Sequence, residues 1–273
     1  MTPAALHVAR VAGLATVQDL GRTGHMHEGV PPSGALAPEL LARANLAAGN
    51  AAGAAAIEVI GAMTLIAREG SVTVATDDGT VRALEAGESL AIAPSAGARV
   101  RYLAVRGGID VPVVLGSRST LLVAAFGGFE GRALRRGDSL PVGSEAPSAA
   151  SPSAHPPLDF DRPIRLVLGP DLARFAESVP ETLLSSAFML APSSDRTGAN
   201  LVGPALARRP NDDARSSPMV AGAIEVTGKG DAIVLGPDHP TTGGYPILAV
   251  VVTADRGLFH ARQPGVMVRF TRV

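Results

Sequence analysis

The sequence predicts a mainly β protein made of two β-barrel subdomains with a few short helices. Three observations predict this fold class. From Ile57 onward, short apolar runs alternate with turns, as in SVTVATDDGTVRAL and STLLVAAFGG. Glycine (31 residues) and proline (22 residues) are frequent although 46% of the chain is hydrophobic, which is typical of a turn-rich globular protein. A segment rich in Ser, Pro and Ala divides the chain almost in half.

Helices are predicted at only two places. The stretch APELLARANLAAGN has Pro38 suited to a first turn, Leu40 and Leu41 on an apolar stripe, and Gly49 suited to the helix end. A second, shorter helix is predicted after Asp171, in DLARFAESV. Between the strands, the Asp-Asp-Gly of VATDDGTVRAL predicts a hairpin turn.

The Ser/Pro/Ala-rich segment, GSEAPSAASPSAHPP at residues 143–157, cannot build a core and is typical of a linker. We therefore expect an N-terminal β-barrel subdomain over residues 1–142 and a C-terminal one over residues 158–273. The phrases VLGPD and RTG each occur in two places along the chain. These short repeats fit an internal duplication, but they also fit chance matches in a chain rich in Gly and Ala.

Composition excludes several classes of function. With a net charge of −1, the chain has no excess of positive charge that would indicate binding to nucleic acid or to an anionic membrane surface. The chain has no cysteine, which excludes disulfides, thiolate nucleophiles and Cys-based metal sites. The N-terminus does not have the pattern of a signal peptide, and no apolar run approaches the ~20 residues of a membrane span. We expect a cytoplasmic protein.

No covalently bound cofactor is expected. Lys229 is the single lysine, and it does not stand in the Met-Lys-Met context that carries covalent biotin. A P-loop, a Rossmann fingerprint and a Gly-x-Ser-x-Gly elbow are also missing from the sequence, so an ATP site in this chain is not expected.

Three arginines stand next to a small hydroxyl residue in loop contexts: Arg22 in GRTG, Arg118 in GSRST and Arg196 in SDRTG. A guanidinium is a planar fork suited to a carboxylate or an amide carbonyl, so these arginines are candidate ligand contacts. The alternative is that each arginine braces its own turn by binding backbone carbonyls. His25 and His27, with Glu28 nearby, raise the possibility of a metal site, but no further ligand stands at a recognisable spacing, and no metal is predicted.

The stretch PDHPTTGGYP interrupts two apolar runs. In it, Asp238 and His239 are a candidate acid–base pair, and Tyr245 is a candidate donor to an oxyanion. Gly243 and Gly244 would let backbone N–H groups approach a ligand closely. The alternative is a wide hairpin whose prolines and glycines set the geometry alone.

Long motifs resemble one known family. GLATVQDLGRTGHMHEGVPPSGAL, YLAVRGGIDVPVVLGSRSTLLVAAFGGFEGRALRRGDSLPVG, SSDRTGANLVGP and TTGGYPILAVVVTAD are similar to the KipA family, also called the C subunit of 5-oxoprolinase or allophanate hydrolase subunit 2. The family includes biotin-dependent carboxyltransferase subunits. The resemblance spans nearly the whole chain and implies that the β-barrels are cyclophilin-like.

The resemblance also implies a heteromeric enzyme. Its partners would be a KipI-like B component and a LamB/YcsF-like A component, with ATP used by the assembled complex on another chain. The activity would be the ATP-dependent opening of 5-oxoproline to glutamate, with the chain inactive alone. Two alternatives remain: a carboxyltransferase component acting on urea or a related amide, and a KipA-type regulatory protein that antagonises a kinase inhibitor.

The matching positions, together with the Asp238–His239 pair noted above, suggest a site. The catalytic candidates are Arg196, Tyr245, Asp238 and His239. The substrate-binding candidates are Arg22, Arg118, Thr241, Thr242, Gly243, Gly244 and Ser33. In this hypothesis Arg196 and Arg22 orient a carboxylate or carbonyl, while Tyr245 and the glycine backbone complete an oxyanion site. Arg196→Lys would then abolish turnover and leave the fold intact.

The chain departs from the family pattern at three positions. Ala37 stands where a carboxylate is common, Glu225 where a glutamine is common, and Pro240 where a second glutamine is common. An amide side chain can donate and accept hydrogen bonds, so these departures bear on the choice of substrate.

Overall fold

A computed structural model describes residues 5–144, 158–209 and 215–273. They form two compact units. The first contains residues 5–23 and 33–144, and the second contains residues 24–32, 158–209 and 215–273. The segment 24–32, which the sequence analysis places in the N-terminal subdomain, thus groups with the second unit. Apart from its first two positions, the predicted linker lies outside the described residues.

The first unit is built on an open antiparallel sheet of seven strands. The strands are β1 (Ala5–Gln18), β2 (Ala56–Arg68), β3 (Val72–Thr76), β4 (Val81–Leu84), β5 (Ser89–Ile92), β6 (Val100–Val105) and β7 (Ser139–Pro141). Their order is β4-β3-β6-β2-β1-β7, and β5 also pairs with β2. The predicted hairpin is confirmed, because β3 and β4 pair across the turn that contains Asp78 and Gly79.

The long β1–β2 pair requires two facing glycines. Gly13 lies opposite Gly61, and both have positive φ values, +121° and +108°. A Cβ at Gly13 would lie 2.2 Å from the carbonyl oxygen of Ile60, and a Cβ at Gly61 would lie 2.3 Å from that of Ala12. Only glycine fits this close backbone approach. Apolar side chains of β1, β2, β3 and β6 form the core of this unit.

The predicted N-terminal helix is confirmed as α1 (Pro38–Ala48). Pro38 stands in its first turn, and Gly49 ends it with φ +83°. Leu40, Leu41 and Ala44 are buried, as the apolar stripe predicts.

Ala37, one of the three family departures, is the N-cap of α1 and makes no side-chain capping bond. A serine here could accept a hydrogen bond from an N–H of the first turn. We therefore expect Ala37→Ser to raise the free energy of unfolding by about 1 kcal/mol in urea denaturation. Ala47→Ser, the same change inside the helix, should instead lower it by about 0.5 kcal/mol. Shifts in the same direction would show that residue 37 does not act as a cap.

The second unit contains a closed seven-stranded barrel of order β10-β13-β12-β15-β8-β16-β9. Its strands are β8 (Ile164–Leu168), β9 (Ala187–Leu190), β10 (Gly198–Val202), β12 (Ala223–Val226), β13 (Ala232–Leu235), β15 (Ile247–Val251) and β16 (Met267–Arg272). A separate two-stranded ribbon consists of β11 (Ser217–Pro218) and β14 (Thr242–Gly243). Two helices complete the unit, α2 (Val179–Ser185) and α3 (Thr253–His260). The mainly β fold class with short helices is confirmed.

The second predicted helix differs from the structure. DLARFAESV forms one 3-10 turn, Leu172–Arg174, and the α-helix begins only at Val179. Phe175 adopts an extended conformation, bridges to Arg208 and is buried in the barrel core. Burial of this large ring outweighs the local helical pattern. No helix in the described parts of the chain is long and apolar enough to cross a membrane.

Candidate functional site

In the first unit, Asp19 joins two of the sequence motifs. Its Oδ1 accepts hydrogen bonds from the N–H of Gly21 (2.7 Å) and from the hydroxyls of Ser117 and Ser119 (2.6 Å each). Its Oδ2 accepts the N–H of Arg118 at 2.6 Å. One carboxylate thus connects QDLGR to GSRST, and it fixes the backbone position from which the Arg118 side chain extends.

Arg118 is held in one orientation and lines a cavity. Its Nε donates to the carbonyl of Val111 at 2.7 Å, and its Nη2 donates to Asp110 Oδ1 at 2.9 Å. The side chain remains 36% exposed. The cavity has a volume of about 360 Å³, within the usual range for small-molecule sites, and glycines form much of its wall: Gly53, Gly107, Gly108 and Gly143.

Steric constraints explain why glycine occurs in this wall. Gly107 has φ +91°, and a Cβ there would lie 2.1 Å from the carbonyl oxygen of Gly143. The backbone beside the Arg118 guanidinium therefore carries no side chain at Gly107. A neighbouring cavity of about 340 Å³ is mainly apolar and is lined by Val111, Phe126 and Phe129 among others. The Arg118 cavity is the better candidate for a charged or amide ligand, because a fixed cation and bare backbone meet there.

Arg22 and Ser33 lie nearby in the same network but are buried. The Arg22 guanidinium donates to the backbone carbonyls of Ser119 and Val114 and stacks over the ring of Phe126. The Ser33 hydroxyl donates to the Thr120 carbonyl at 2.9 Å. For Arg22, this geometry matches the alternative weighed from the sequence, an arginine that braces its turn.

In the second unit, Arg196 and Asp238 form a buried ion pair. Arg196 Nε lies 2.8 Å from Asp238 Oδ2, and its Nη2 lies 3.0 Å from Oδ1. The two side chains are only 4% and 3% exposed. This bidentate pair, with the Asp238 N–H donating to the Arg196 carbonyl, fixes the start of the loop that carries TTGGYP.

His239 is not hydrogen-bonded to Asp238 as the sequence suggested, since the Asp238 carboxylate faces Arg196. His239 is fully buried, and its Nδ1 lies 2.8 Å from the carbonyl of its neighbour Pro240. Burial lowers the pKa of His239, which favours the neutral ring. Its Nε2 has no hydrogen-bond partner among the described residues.

The TTGGYP loop is not a hairpin, because β13 and β15 flank β12 on opposite sides and do not pair with each other. The loop instead forms the ribbon with β11, and Thr241 accepts the N–H of Met219 at 3.0 Å. Thr242 is exposed, Gly243 and Gly244 are half-buried, and Tyr245 is 46% exposed.

The structure brings the predicted residues together in two groups, one in each unit. Arg22, Ser33 and Arg118 meet around Asp19, and Arg196 meets Asp238 beneath the loop. The sequence analysis gave Asp19 no catalytic or substrate-binding role. Its place between Gln18 and Gly21, in a loop rich in donors, was the available signal. His25 pairs with Glu28 at 3.0 Å, and the described residues contain no group of three potential metal ligands.

Comparison with known proteins agrees with the motifs. Residues 28–272 match the family model described as carboxyltransferase domain, subdomain A and B. The chain is 36% identical to the 5-oxoprolinase C subunit of Escherichia coli (strain K12), over 94% of this chain and 87% of that protein. It is also 31% identical to urea amidolyase of Lachancea kluyveri, over 99% of this chain and 17% of the relative.

A solved structure extends the likeness to the fold. The crystal structure of K. lactis urea amidolyase superimposes with a TM-score of 0.89 at 27% identity, over all of this chain. The chain spans only 19% of that much longer protein. Together with the family match, these similarities confirm the resemblance seen in the motifs: the chain belongs to the carboxyltransferase domain family, subdomains A and B.

Proposed function

We propose that the chain is the C subunit of an ATP-dependent 5-oxoprolinase, the enzyme that opens 5-oxoproline to glutamate. The observation that carries this proposal is the 36% identity to the 5-oxoprolinase C subunit of E. coli along nearly the full length of both chains. A second relative of the same name, from Haemophilus influenzae, is 31% identical over 98% of this chain.

In this proposal the chain is inactive alone and acts with two partners, a KipI-like B component and a LamB/YcsF-like A component. ATP binds on another chain of the complex, because this sequence has no phosphate-binding fingerprint. Since the activity consumes ATP, we expect the complex in the cytoplasm. The contribution of this chain is to bind and orient the substrate.

We assign substrate binding to the Arg118 cavity. 5-Oxoproline carries a carboxylate, and the Arg118 guanidinium lies at the cavity wall with its Nε and Nη2 already fixed by Val111 and Asp110. Its orientation is therefore set before the ligand arrives, which lowers the entropic cost of binding. Arg22 and Arg196 donate within the protein, so their proposed role is to hold the loops that carry the site.

Replacing Arg118 with alanine should raise KM for 5-oxoproline by about 10- to 150-fold, because a hydrogen bond to a charged group contributes about 1.5–3 kcal/mol. The measurement is steady-state kinetics of the assembled complex. Arg82→Ala, at an exposed arginine of β4, is the matched control and should leave KM unchanged. Equal KM values for both variants would remove Arg118 from the site.

The proposal is tested by ATP-dependent release of glutamate from 5-oxoproline, using the chain purified with its KipI-like and LamB/YcsF-like partners. The control omits this chain alone. We expect activity in the complete mixture and none in the control. A stable complex without turnover, or full turnover without this chain, would contradict the proposal.

Likeness to urea amidolyases favours a second candidate, carboxyl transfer to urea or a related amide. Since the chain covers under a fifth of those relatives, this activity would need a biotin carrier and a biotin carboxylase on other chains. Urea-dependent ATP consumption in a mixture with those proteins, and none with 5-oxoproline, would favour this second candidate.

A further inference from the structure

Asp110 and Arg118 present a hydrogen-bond acceptor and a donor side by side at the wall of the Arg118 cavity. Both residues line this cavity, and Arg118 Nη2 donates to Asp110 Oδ1 at 2.9 Å. A guanidinium has five N–H groups, and described residues accept two of those of Arg118, at the Val111 carbonyl and at Asp110. No described residue donates to Asp110 Oδ2. The pair therefore keeps N–H groups and one carboxylate oxygen for a ligand.

The backbone at both positions is fixed within the first unit. The Asp110 N–H donates to the carbonyl of Pro141 at 2.9 Å, next to the end of β7. The Arg118 N–H donates to Asp19 Oδ2 at 2.6 Å. The two side chains thus extend from backbone positions that are set by separate contacts. A donor and an acceptor that are placed in advance bind a ligand at a lower entropic cost.

The stability of the fold does not explain why Asp110 stands beside Arg118. The side chain of Asp110 is 58% exposed in this ion pair. Ion pairs that water can reach contribute little to the free energy of unfolding. Asp19 and Val111, rather than Asp110, hold the backbone and the Nε of Arg118. A substitution at Asp110 should therefore leave the chain folded, which makes its role in binding testable.

We propose that Asp110 is a specificity-determining residue that accepts the ring N–H of 5-oxoproline while Arg118 binds the carboxylate of the same molecule. In 5-oxoproline the carboxylate is attached to the carbon next to the ring nitrogen, so the ligand presents an acceptor and a donor side by side. The Arg118–Asp110 pair presents the complementary donor and acceptor. Each of the two hydrogen bonds has a charged partner and belongs to the stronger class. The inference rests on the proposed function for the substrate and adds the residue that distinguishes its N–H.

Two carboxylates, one from Asp110 and one from the ligand, would share the Arg118 guanidinium. Asp110 binds Nη2 through Oδ1, and the N–H groups without a described acceptor remain for the ligand. The repulsion between the two carboxylates weakens the binding of every ligand that carries a carboxylate. It does not change the preference between two ligands of equal charge. The preference for a ring N–H therefore reports on Asp110 Oδ2 alone.

The test compares 5-oxoproline with its lactone analogue, 5-oxotetrahydrofuran-2-carboxylate, in which a ring oxygen replaces the N–H. The two compounds have the same ring size, the same carboxylate and the same charge. Each is titrated by calorimetry against the full chain. We expect the wild-type chain to bind the lactam about 10-fold more tightly than the lactone, because the lactone lacks the hydrogen bond to a charged acceptor.

Asp110→Asn exchanges the acceptor for a donor. Its amide oxygen can accept from Arg118, and its NH₂ group then stands where Oδ2 stood. We expect this variant to bind the lactone at least as tightly as the lactam, so the 10-fold preference is lost or reversed. The matched control is Asp78→Asn. Asp78 is 53% exposed and pairs with Arg101 Nη2 at 2.8 Å, but it is not among the residues that line the Arg118 cavity. It should keep the wild-type preference.

The ratio of the two affinities separates binding from support of the fold. Loss of structure at the cavity weakens both ligands equally and leaves the ratio unchanged. An unchanged ratio in Asp110→Asn, or equal binding of the two ligands to wild type, therefore overturns the role of Asp110. A wild-type chain that does not bind 5-oxoproline also overturns it.

The same experiment distinguishes this inference from the proposed function. If the assembled complex releases glutamate from 5-oxoproline but Asp110→Asn keeps the wild-type ratio, the proposed function stands and this inference fails. If the ratio changes as expected but the complex releases no glutamate, Asp110 binds the lactam N–H and the proposed function fails.

Discussion

Replacing Asp238 with alanine is expected to lower the free energy of unfolding of the second unit by about 3–5 kcal/mol, one of the two largest effects we predict. The change leaves the Arg196 guanidinium, 4% exposed, without the carboxylate that lies 2.8 and 3.0 Å from its nitrogens. Arg196→Lys keeps the charge but loses the bidentate geometry, so we expect a smaller loss of about 1.5–3 kcal/mol.

Urea denaturation followed by circular dichroism measures both effects. Arg269→Lys, at an exposed arginine of β16, is the matched control and should leave the midpoint unchanged. If Arg196→Lys unfolds at the same urea concentration as this control, the bidentate ion pair does not contribute to the stability of the second unit. The structure thus changes the expectation drawn from the sequence, that Arg196→Lys would abolish turnover and leave the fold intact.

Replacing Asp19 with alanine is expected to lower the free energy of unfolding of the first unit by about 3 kcal/mol and to raise KM for 5-oxoproline as well. Four donors, from Gly21, Ser117, Arg118 and Ser119, lose one charged acceptor together. Because the Arg118 N–H is one of them, the guanidinium should lose its fixed position at the cavity wall. Misplacing an orienting group by a fraction of an ångström weakens binding and turnover.

Two measurements check this prediction: urea denaturation of the chain, and KM of the assembled complex. Glu69→Ala, at an exposed carboxylate of the same unit, controls for the loss of a surface charge. A loss of stability with an unchanged KM would show that Asp19 supports the fold but does not position Arg118. An unchanged free energy of unfolding would show that the hydrogen bonds to Asp19 do not stabilise the first unit.

Elements whose signals are local were predictable from the sequence. The helix α1 combines Pro38, an apolar stripe and Gly49 within one short segment, and the β3–β4 hairpin is specified by its Asp-Asp-Gly turn. The second helix was misplaced because the buried position of Phe175 is decided by a bridge to Arg208, distant in sequence. Local periodicity carries no information about such a contact.

The candidate site was predictable in its residue types but not in its pairings. The three Arg-hydroxyl loops look alike in sequence. In the structure, Arg118 lines a cavity, Arg22 is bonded to backbone carbonyls, and Arg196 is paired with Asp238. Which partner an arginine meets depends on residues about 40 to 100 positions away along the chain, as with Arg196 and Asp238 or Arg22 and Ser119.

The sequence by itself determined the family, the mainly β fold class and the absence of thiol chemistry, because motifs, turn residues and composition are properties of the linear chain. Only the tertiary structure decided that Asp19 connects two sequence motifs by hydrogen bonds. It alone also decided that the TTGGYP loop joins strands on opposite sides of β12. It also decided that Glu58 of β2 accepts hydrogen bonds from the Tyr102 hydroxyl and the Leu36 N–H, whereas Glu225, in the same phrase on β12, makes no side-chain hydrogen bond with a described residue. The reason is physical. Burial and hydrogen-bond satisfaction are set by long-range packing, so the same phrase, Ala-Ile-Glu-Val, has a different environment in each unit.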